Sequence, residues 1–172
     1  DTLHAGRRLK KMFIRLPQYE ERFPNLLDVV GGIEHVHKLE SGLERSIGPR
    51  GDVLDTASSE LARLRKAVRI AHSRVTERLR NLQSSSRVGA AMQENIITVR
   101  EGRYVIPIRA EARNVVRGII HGTSQSGQTL YVEPYDVVEL NNTWRERQLE
   151  EEEEVNRILD DLSEQIAEQA DV

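Results

Sequence analysis

The chain has 172 residues, of which 38% are hydrophobic, 31% charged and 4% aromatic, and its formal net charge is −3. It contains no cysteine, which excludes disulfides, thiol nucleophiles and thiolate metal sites. No apolar run reaches the ~18 residues that a membrane-spanning helix needs, so the composition predicts a charge-rich cytoplasmic protein with a modest core and no membrane partner.

The N-terminal part of the chain predicts helices. Apolar residues recur at helical spacing over residues 3–16 until Pro17, and a second helix is predicted from Leu26 to Leu43. The stretch SIGPRGDVLDTAS follows, and its two glycines and its proline predict a turn.

Residues 56–83 carry the clearest helical pattern. Their apolar side chains recur at three- and four-residue steps, which is typical of a coiled-coil seam. The other faces are basic, and two interpretations stay open: a solvated face that pairs with an acidic neighbour, or the footprint of a polyanion. The basic residues are Arg63, Arg65, Lys66, Arg69, Arg74, Arg78 and Arg80.

The period then changes. Between Ile96 and Glu133 short β-branched runs predict three or four strands, with a hairpin turn at Glu101-Gly102. A long helical pattern runs from Tyr135 to about Ala170. We expect the two long helices to return antiparallel with the β unit at their tip. Because the helical pattern continues to the last residues, we also expect the chain to be a piece of a longer protein.

Charge is distributed unevenly along the chain. Residues 61–117 hold 13 basic and 4 acidic side chains, whereas residues 150–172 hold 10 acidic side chains and one basic side chain. This asymmetry favours either an external partner or mutual neutralisation of the two segments.

The segment GTSQSGQT, residues 122–129, has the spacing of a phosphate-binding loop. Gln128 stands where that loop needs its lysine, and the next residues, TLYVEP, predict a strand instead of a helix. The segment therefore predicts a β-hairpin tip, which can still contact a polyanion through hydroxyls and backbone N–H groups. The candidate contacts in this tip are Ser124, Gln125, Ser126 and Gln128.

Cationic side chains occur along the predicted strands and make the β unit a candidate for binding a nucleic-acid backbone. Charge that protects edge strands from aggregation is the competing explanation. The candidate residues are Arg100, Arg103, Arg109, Arg113, Arg117 and His121. No catalytic carboxylate pair, nucleophile motif or metal-ligand spacing stands out, so we predict no catalytic residue, metal or cofactor site in this chain.

A resemblance goes further than composition. The run RYVIPIRAEARNVVRGIIHGTSQSGQTLYVEPYDVVELNN resembles the middle region of the second bacterial MutS subfamily, the MutS paralogue without the mismatch-reading N-terminal domain. That family has a similar RYV-P-(K/R)-E segment, then G-(I/V)-H--S-SG-T-(Y/F)-EP, then (V/I)-ELNN at the start of a long helix. GDVLDTASSELARLR is similar to the family's entry into its first lever helix, and the resemblance extends to about Ile166.

The resemblance implies a fold. Residues 1–52 would belong to a helical core, 53–93 would form an ascending lever helix, 94–134 a β clamp and 135–172 a descending lever helix. The expected fold class is therefore α+β and mostly α: two long antiparallel lever helices carry a small antiparallel β clamp, beside short core helices.

The resemblance also implies a function. Two protomers of a MutS-type protein close around duplex or branched DNA, and this subfamily restrains recombination or acts on stalled ribosomes through ribosomal RNA. ATP, Mg²⁺ and the ATPase and nuclease activities would belong to domains outside this chain. The alternative that the residues leave open is a structural coiled-coil spacer or dimerisation arm without nucleic-acid contact.

Overall fold

The computed structural model describes residues 37–170 and, before them, residues 5, 6, 8, 11, 12 and 25. Most of the helix predicted over 3–16 therefore lies outside the described residues. Two compact units make up the chain: residues 1–58 together with 156–172, and residues 59–155. The functional division predicted at 52/53, 93/94 and 134/135 stays a prediction.

Four α-helices lie within residues 37–170, and the two long ones match their sequence predictions closely. The helix predicted over 56–83 begins three residues late, and the helix predicted from residue 135 has the expected bounds. Among the described helices, none combines the length and apolarity needed to cross a membrane. The helices are α1 (His37–Ser46), α2 (Ser59–Gln83), α3 (Ser86–Ala91) and α4 (Tyr135–Ala170).

The predicted β unit is a four-stranded antiparallel sheet with the strand order β1-β2-β4-β3. Its strands are β1 (Thr98–Arg100), β2 (Arg103–Arg109), β3 (Gly118–Thr123) and β4 (Thr129–Pro134). The hairpin turn predicted at Glu101-Gly102 is confirmed. Both residues have positive φ, 49° and 73°, as a two-residue type I′ turn requires, and only glycine adopts that conformation without steric cost.

One hydrophobic core joins the sheet to α2 and to the first turns of α4. Buried side chains of α2 pack in this core with buried side chains of β2 and β4. Three rings connect the same elements: the Tyr104 ring lies 5.3 Å from the His72 ring and 4.7 Å from the Trp144 ring. The central members of the core are Ala71, Val75, Leu79, Ile106, Ile108, Val132 and Val137.

This core corrects the expected architecture. The prediction of two long lever helices that carry a small clamp at their tip is wrong; the fold is α+β overall, with four helices and a four-stranded sheet in the described residues. The apolar spacing of α2 predicts a coiled-coil seam, but Ala71, Val75 and Leu79 share their core with the sheet. Helical periodicity shows that a face is buried and does not show whether a helix or a sheet covers it.

The other unit is smaller within the described residues. The predicted turn after α1 is confirmed: Ile47 bridges Val53, and the Gly48 N–H donates to the Asp52 carbonyl at 2.7 Å. Leu39, Ile158 and Leu162 are buried, in α1 and in the C-terminal part of α4.

Candidate nucleic-acid interface

A buried carboxylate, Glu133, lies at the centre of the sheet's polar contacts. The Arg103 guanidinium donates to Glu133 Oε1 at 2.6 Å, and Asn141 Nδ2 donates to the same oxygen at 2.7 Å. His121 Nε2 lies 2.6 Å from Glu133 Oε2. Burial raises the pKa of Glu133, but the hydrogen bonds from Arg103, Asn141 and His121 outweigh it and hold the pKa below its ordinary value. Glu133 is therefore ionised at neutral pH.

These contacts, which we call the Glu133 network, connect α4 to three strands. Arg103 also donates to Asn142 Oδ1 at 2.7 Å. Asn141 accepts from the Tyr104 N–H and donates to the Tyr104 carbonyl, both at 3.0 Å. Sequence reasoning missed Glu133 and Asn141. Two sequence features point to them. One is the single acid inside the strand run TLYVEP, and the other is the polar pair Asn141-Asn142 among the apolar positions of the long helix.

Two predicted nucleic-acid contacts, Arg103 and His121, belong to this network. The Arg103 side chain is only 19% exposed and the His121 side chain 15% exposed. Their contact with nucleic acid stays a prediction, but both already have a buried carboxylate partner. They hold the sheet together and are not part of the exposed cationic surface.

Two exposed cations of the β unit, Arg113 and Arg117, line a groove of about 510 Å³. In the part of the chain that the structure describes, neither guanidinium has a hydrogen bond or an ion pair. Ile120 and Tyr135 line the same groove and are 52% and 62% exposed. We refer to this site as the Arg113–Tyr135 groove.

Local backbone structure builds this groove. After β2, the Arg113 N–H donates to the Ala110 carbonyl at 3.3 Å, which turns the chain back toward β3. The Tyr135 N–H donates to the Arg117 carbonyl at 3.1 Å and so fixes the start of α4 beside the start of β3. Gly118 permits the close approach, because a Cβ atom there would lie 2.1 Å from the Glu133 carbonyl oxygen.

Arg100 and Arg109 have partners of their own. The Arg100 guanidinium lies 4.1 Å from the centroid of the Tyr131 ring, a cation–π distance. Arg109 donates to the Ala90 carbonyl and lies 4.0 Å from Glu111. Of the five predicted arginines, Arg113 and Arg117 are thus the two whose guanidinium groups have no hydrogen bond, ion pair or ring partner among the described residues.

The phosphate-loop look-alike is a hairpin, as predicted. It joins the antiparallel strands β3 and β4, and the Ser124 N–H donates to the Thr129 carbonyl at 2.9 Å. The Ser124 hydroxyl accepts from the Thr129 N–H at 3.1 Å, so it serves the turn, while Gln125, Ser126 and Gln128 are exposed. No lysine and no following helix are present to hold a nucleotide triphosphate, so this loop does not fit ATP.

The basic face of α2 is only partly neutralised. Arg65 lies 3.0 Å from Glu151 and Arg78 lies 2.7 Å from Asp136, so both arginines pair with acids of α4. Four other basic residues are exposed and have no ion pair within residues 37–170: Lys66, Arg69, Arg74 and Arg80. In the same residues no cluster of His, Asp or Glu side chains is arranged to hold a metal ion.

Comparison with curated proteins adds the family context. The chain is similar to a segment of the MutS2 endonucleases. It is 48% identical over 171 residues to Endonuclease MutS2 of Thermomicrobium roseum, 42% identical over 166 residues to that of Brevibacillus brevis and 39% identical over 171 residues to that of Bacillus cytotoxicus. These matches cover 96–99% of the chain.

The chain spans about a fifth of the length of these MutS2 relatives, 21% to 22%. No protein-family model matches it.

Proposed function

We propose that this chain is the segment of a MutS2-type protein that holds a nucleic-acid backbone without reading its sequence. The observation that carries the proposal is the Arg113–Tyr135 groove, where two exposed guanidinium groups have no partner among the described residues. The similar proteins are named endonucleases, which act on nucleic acid.

Unpaired arginines suit this task. A guanidinium binds a phosphate with two parallel N–H donors, and the binding is strengthened by the release of counterions from the backbone. Phosphate contacts position a protein without carrying sequence information. The exposed Arg69, Arg74 and Arg80 of α2 add to the same positive field.

The rest of the proposal concerns the longer protein. It would bind duplex or branched DNA as a homodimer and restrain recombination in the cytoplasm, or act on stalled ribosomes through ribosomal RNA. ATP, Mg²⁺ and the cutting of nucleic acid would belong to other parts of it, so this segment contributes binding and not catalysis.

The test is a charge reversal in the groove. We expect Arg113→Glu/Arg117→Glu to weaken binding of a fluorescein-labelled 20-base-pair duplex by at least tenfold in fluorescence anisotropy at low salt. With Arg113→Ala/Arg117→Ala, the slope of log K against log salt concentration should fall by roughly 1.8, about 0.9 for each lost phosphate contact.

The matched control is Arg87→Glu/Arg145→Glu, which makes the same charge change at two exposed arginines outside the groove. We expect this control to weaken binding less than the groove variant does. Equal losses would mean that net charge matters and the groove does not.

A structural arm is the second candidate, and the ion pairs of α2 favour it. Arg65–Glu151 and Arg78–Asp136 use basic residues of α2 to hold α4. If the segment were only an arm, nucleic acid would not bind in a salt-dependent way. The reversal Arg65→Glu would then lower the melting temperature, and Glu151→Arg in the same chain would restore it.

A further inference from the structure

We propose that the Arg113–Tyr135 groove binds one unpaired nucleotide of a single strand, with the base stacked on the Tyr135 ring and the phosphate held by Arg113 and Arg117. This inference rests on the proposed function and specifies its substrate: single-stranded nucleic acid, as at a junction, a gap or an RNA loop. The ring, the cations and the size of the groove each support it.

The Tyr135 ring has no role in the fold that the described contacts show. It is 62% exposed, whereas Val137, two residues later, is fully buried and begins the core-facing side of α4. Within residues 37–170 the phenol has no hydrogen bond and the ring has no aromatic or cation–π partner. An aromatic side chain left in water beside a cationic site is the usual platform for a nucleobase.

The ring and the cations are held on the same groove. The hydrogen bond from the Tyr135 N–H to the Arg117 carbonyl joins their backbones, and the close approach at Gly118 keeps β3 against β4 there. Arg113 lines the same groove and precedes the buried Val116 in the chain. A nucleotide in this groove would therefore lie beside both kinds of partner, the ring for its base and the cations for its phosphate.

The size and composition of the groove favour a nucleotide over an isolated phosphate. Its volume of about 510 Å³ lies in the range of small-molecule sites, which is roughly 300–1,000 Å³, and Ile120 adds an exposed apolar wall. The residues described as lining it include two arginines and no acid.

A base inside a duplex has both faces covered by its neighbours, so the ring can stack only on an unpaired base. Backbone contacts by Arg113 and Arg117 would serve either form of nucleic acid, but the Tyr135 ring would serve the single strand alone. The two parts of the groove are therefore separable by mutation.

The test uses the 172-residue chain with Tyr135→Leu and the conservative variant Tyr135→Phe. The probes are three fluorescein-labelled oligonucleotides of one sequence: a single-stranded DNA, a single-stranded RNA and the DNA duplex. We expect Tyr135→Leu to weaken single-strand binding by about tenfold, since stacking on an aromatic side chain contributes that order of affinity. Duplex binding should change by less than about twofold, and Tyr135→Phe should keep wild-type affinity for all three probes.

A second measurement reports stacking directly. A single-stranded probe with one 2-aminopurine should lose fluorescence when it binds the wild-type chain and Tyr135→Phe, and should lose much less when it binds Tyr135→Leu. Urea unfolding followed by the fluorescence of Trp144 shows whether the variants stay folded, which we expect because Tyr135 is exposed.

The outcomes are distinct. If Tyr135→Leu binds the single strands as tightly as Tyr135→Phe does, the inference is overturned, while duplex binding that depends on Arg113 and Arg117 would leave the proposed function standing. If reversal of the two arginines affects no probe, the proposed function fails and the inference fails with it. An effect confined to the RNA or to the DNA probe identifies the source of the strand.

Discussion

Glu133→Gln tests whether the Glu133 network holds the sheet together. Glutamine has nearly the shape of glutamate, so the substitution removes the charge and one acceptor oxygen while the cavity stays filled. The side-chain carbonyl can still accept from Arg103 and Asn141, but an NH₂ group then stands opposite His121. Any loss of stability therefore reports the electrostatic part of the network.

The structure sets the size of the effect. Glu133 is fully buried and Arg103 is 19% exposed, so solvent screens their interaction little. Arg103 donates to Glu133 Oε1 through Nε at 3.0 Å and Nη2 at 2.6 Å. A hydrogen bond to a charged group contributes about 1.5–3 kcal/mol and a neutral one about 1 kcal/mol, and breaking a buried ion pair costs about 3–5 kcal/mol. We expect Glu133→Gln to lower the free energy of unfolding by about 3 kcal/mol.

Urea unfolding measures this loss, with the fluorescence of Trp144 as the probe. Trp144 is the one tryptophan of the chain and packs against Tyr104, whose backbone contacts the network. Glu146→Gln is the matched control, because Glu146 is an exposed glutamate of α4 and should change stability by less than about 0.5 kcal/mol. A loss below about 1 kcal/mol for Glu133→Gln would refute the reasoning.

The pH dependence gives a second check. The folded pKa of Glu133 lies below its unfolded value of about 4.3, so its contribution is fully present above that pH and is lost as pH falls through the folded pKa. The stability gap between wild type and Glu133→Gln should therefore narrow as the pH falls below about 4. A gap that widens on acidification would have the wrong sign.

Three further substitutions test the fold. Gly118→Ala should lower the free energy of unfolding by about 2 kcal/mol or more and weaken nucleic-acid binding, because the added Cβ would lie 2.1 Å from the Glu133 carbonyl oxygen. Unchanged urea unfolding would contradict this close approach. Gly102→Ala should cost about 1 kcal/mol, because its φ is 73°, and Gly102→Asn should cost less, as thermal melts of the pair would show. Ile106→Ala should cost about 2–5 kcal/mol in urea unfolding, because Ile106 of β2 is fully buried in the core that the sheet shares with α2. A loss under about 1 kcal/mol would place it outside the core.

The sequence predicted the local elements well. The bounds of α2 and α4 follow from apolar spacing and from the residues that interrupt it, which act within a few positions of themselves. The turn at Glu101-Gly102 was predicted for the same reason, since glycine's tolerance of positive φ is a property of one residue. The hairpin between β3 and β4 was recognised because no lysine and no helix follow its glycines.

The candidate site was only half predicted. Composition identified the arginines of the β unit but gave them equal weight, and it missed Glu133 and Asn141 altogether. Arg103 is engaged by Glu133, 30 positions away, while Arg113 and Arg117 stay exposed. The sequence did not predict a role for Tyr135, because a tyrosine at the start of a helix gives the same pattern whether its ring is buried or exposed to water.

The sequence by itself thus determined the α+β content, the turns and the uneven charge, because backbone preference and side-chain period act over short distances along the chain. The tertiary structure decided that the apolar seam of α2 packs with the sheet, that Arg103 and His121 hold a buried carboxylate, and that Arg113, Arg117 and Tyr135 face one groove. The physical reason is that the burial and pairing of a side chain depend on neighbours that are distant in sequence, and only folding brings those neighbours together.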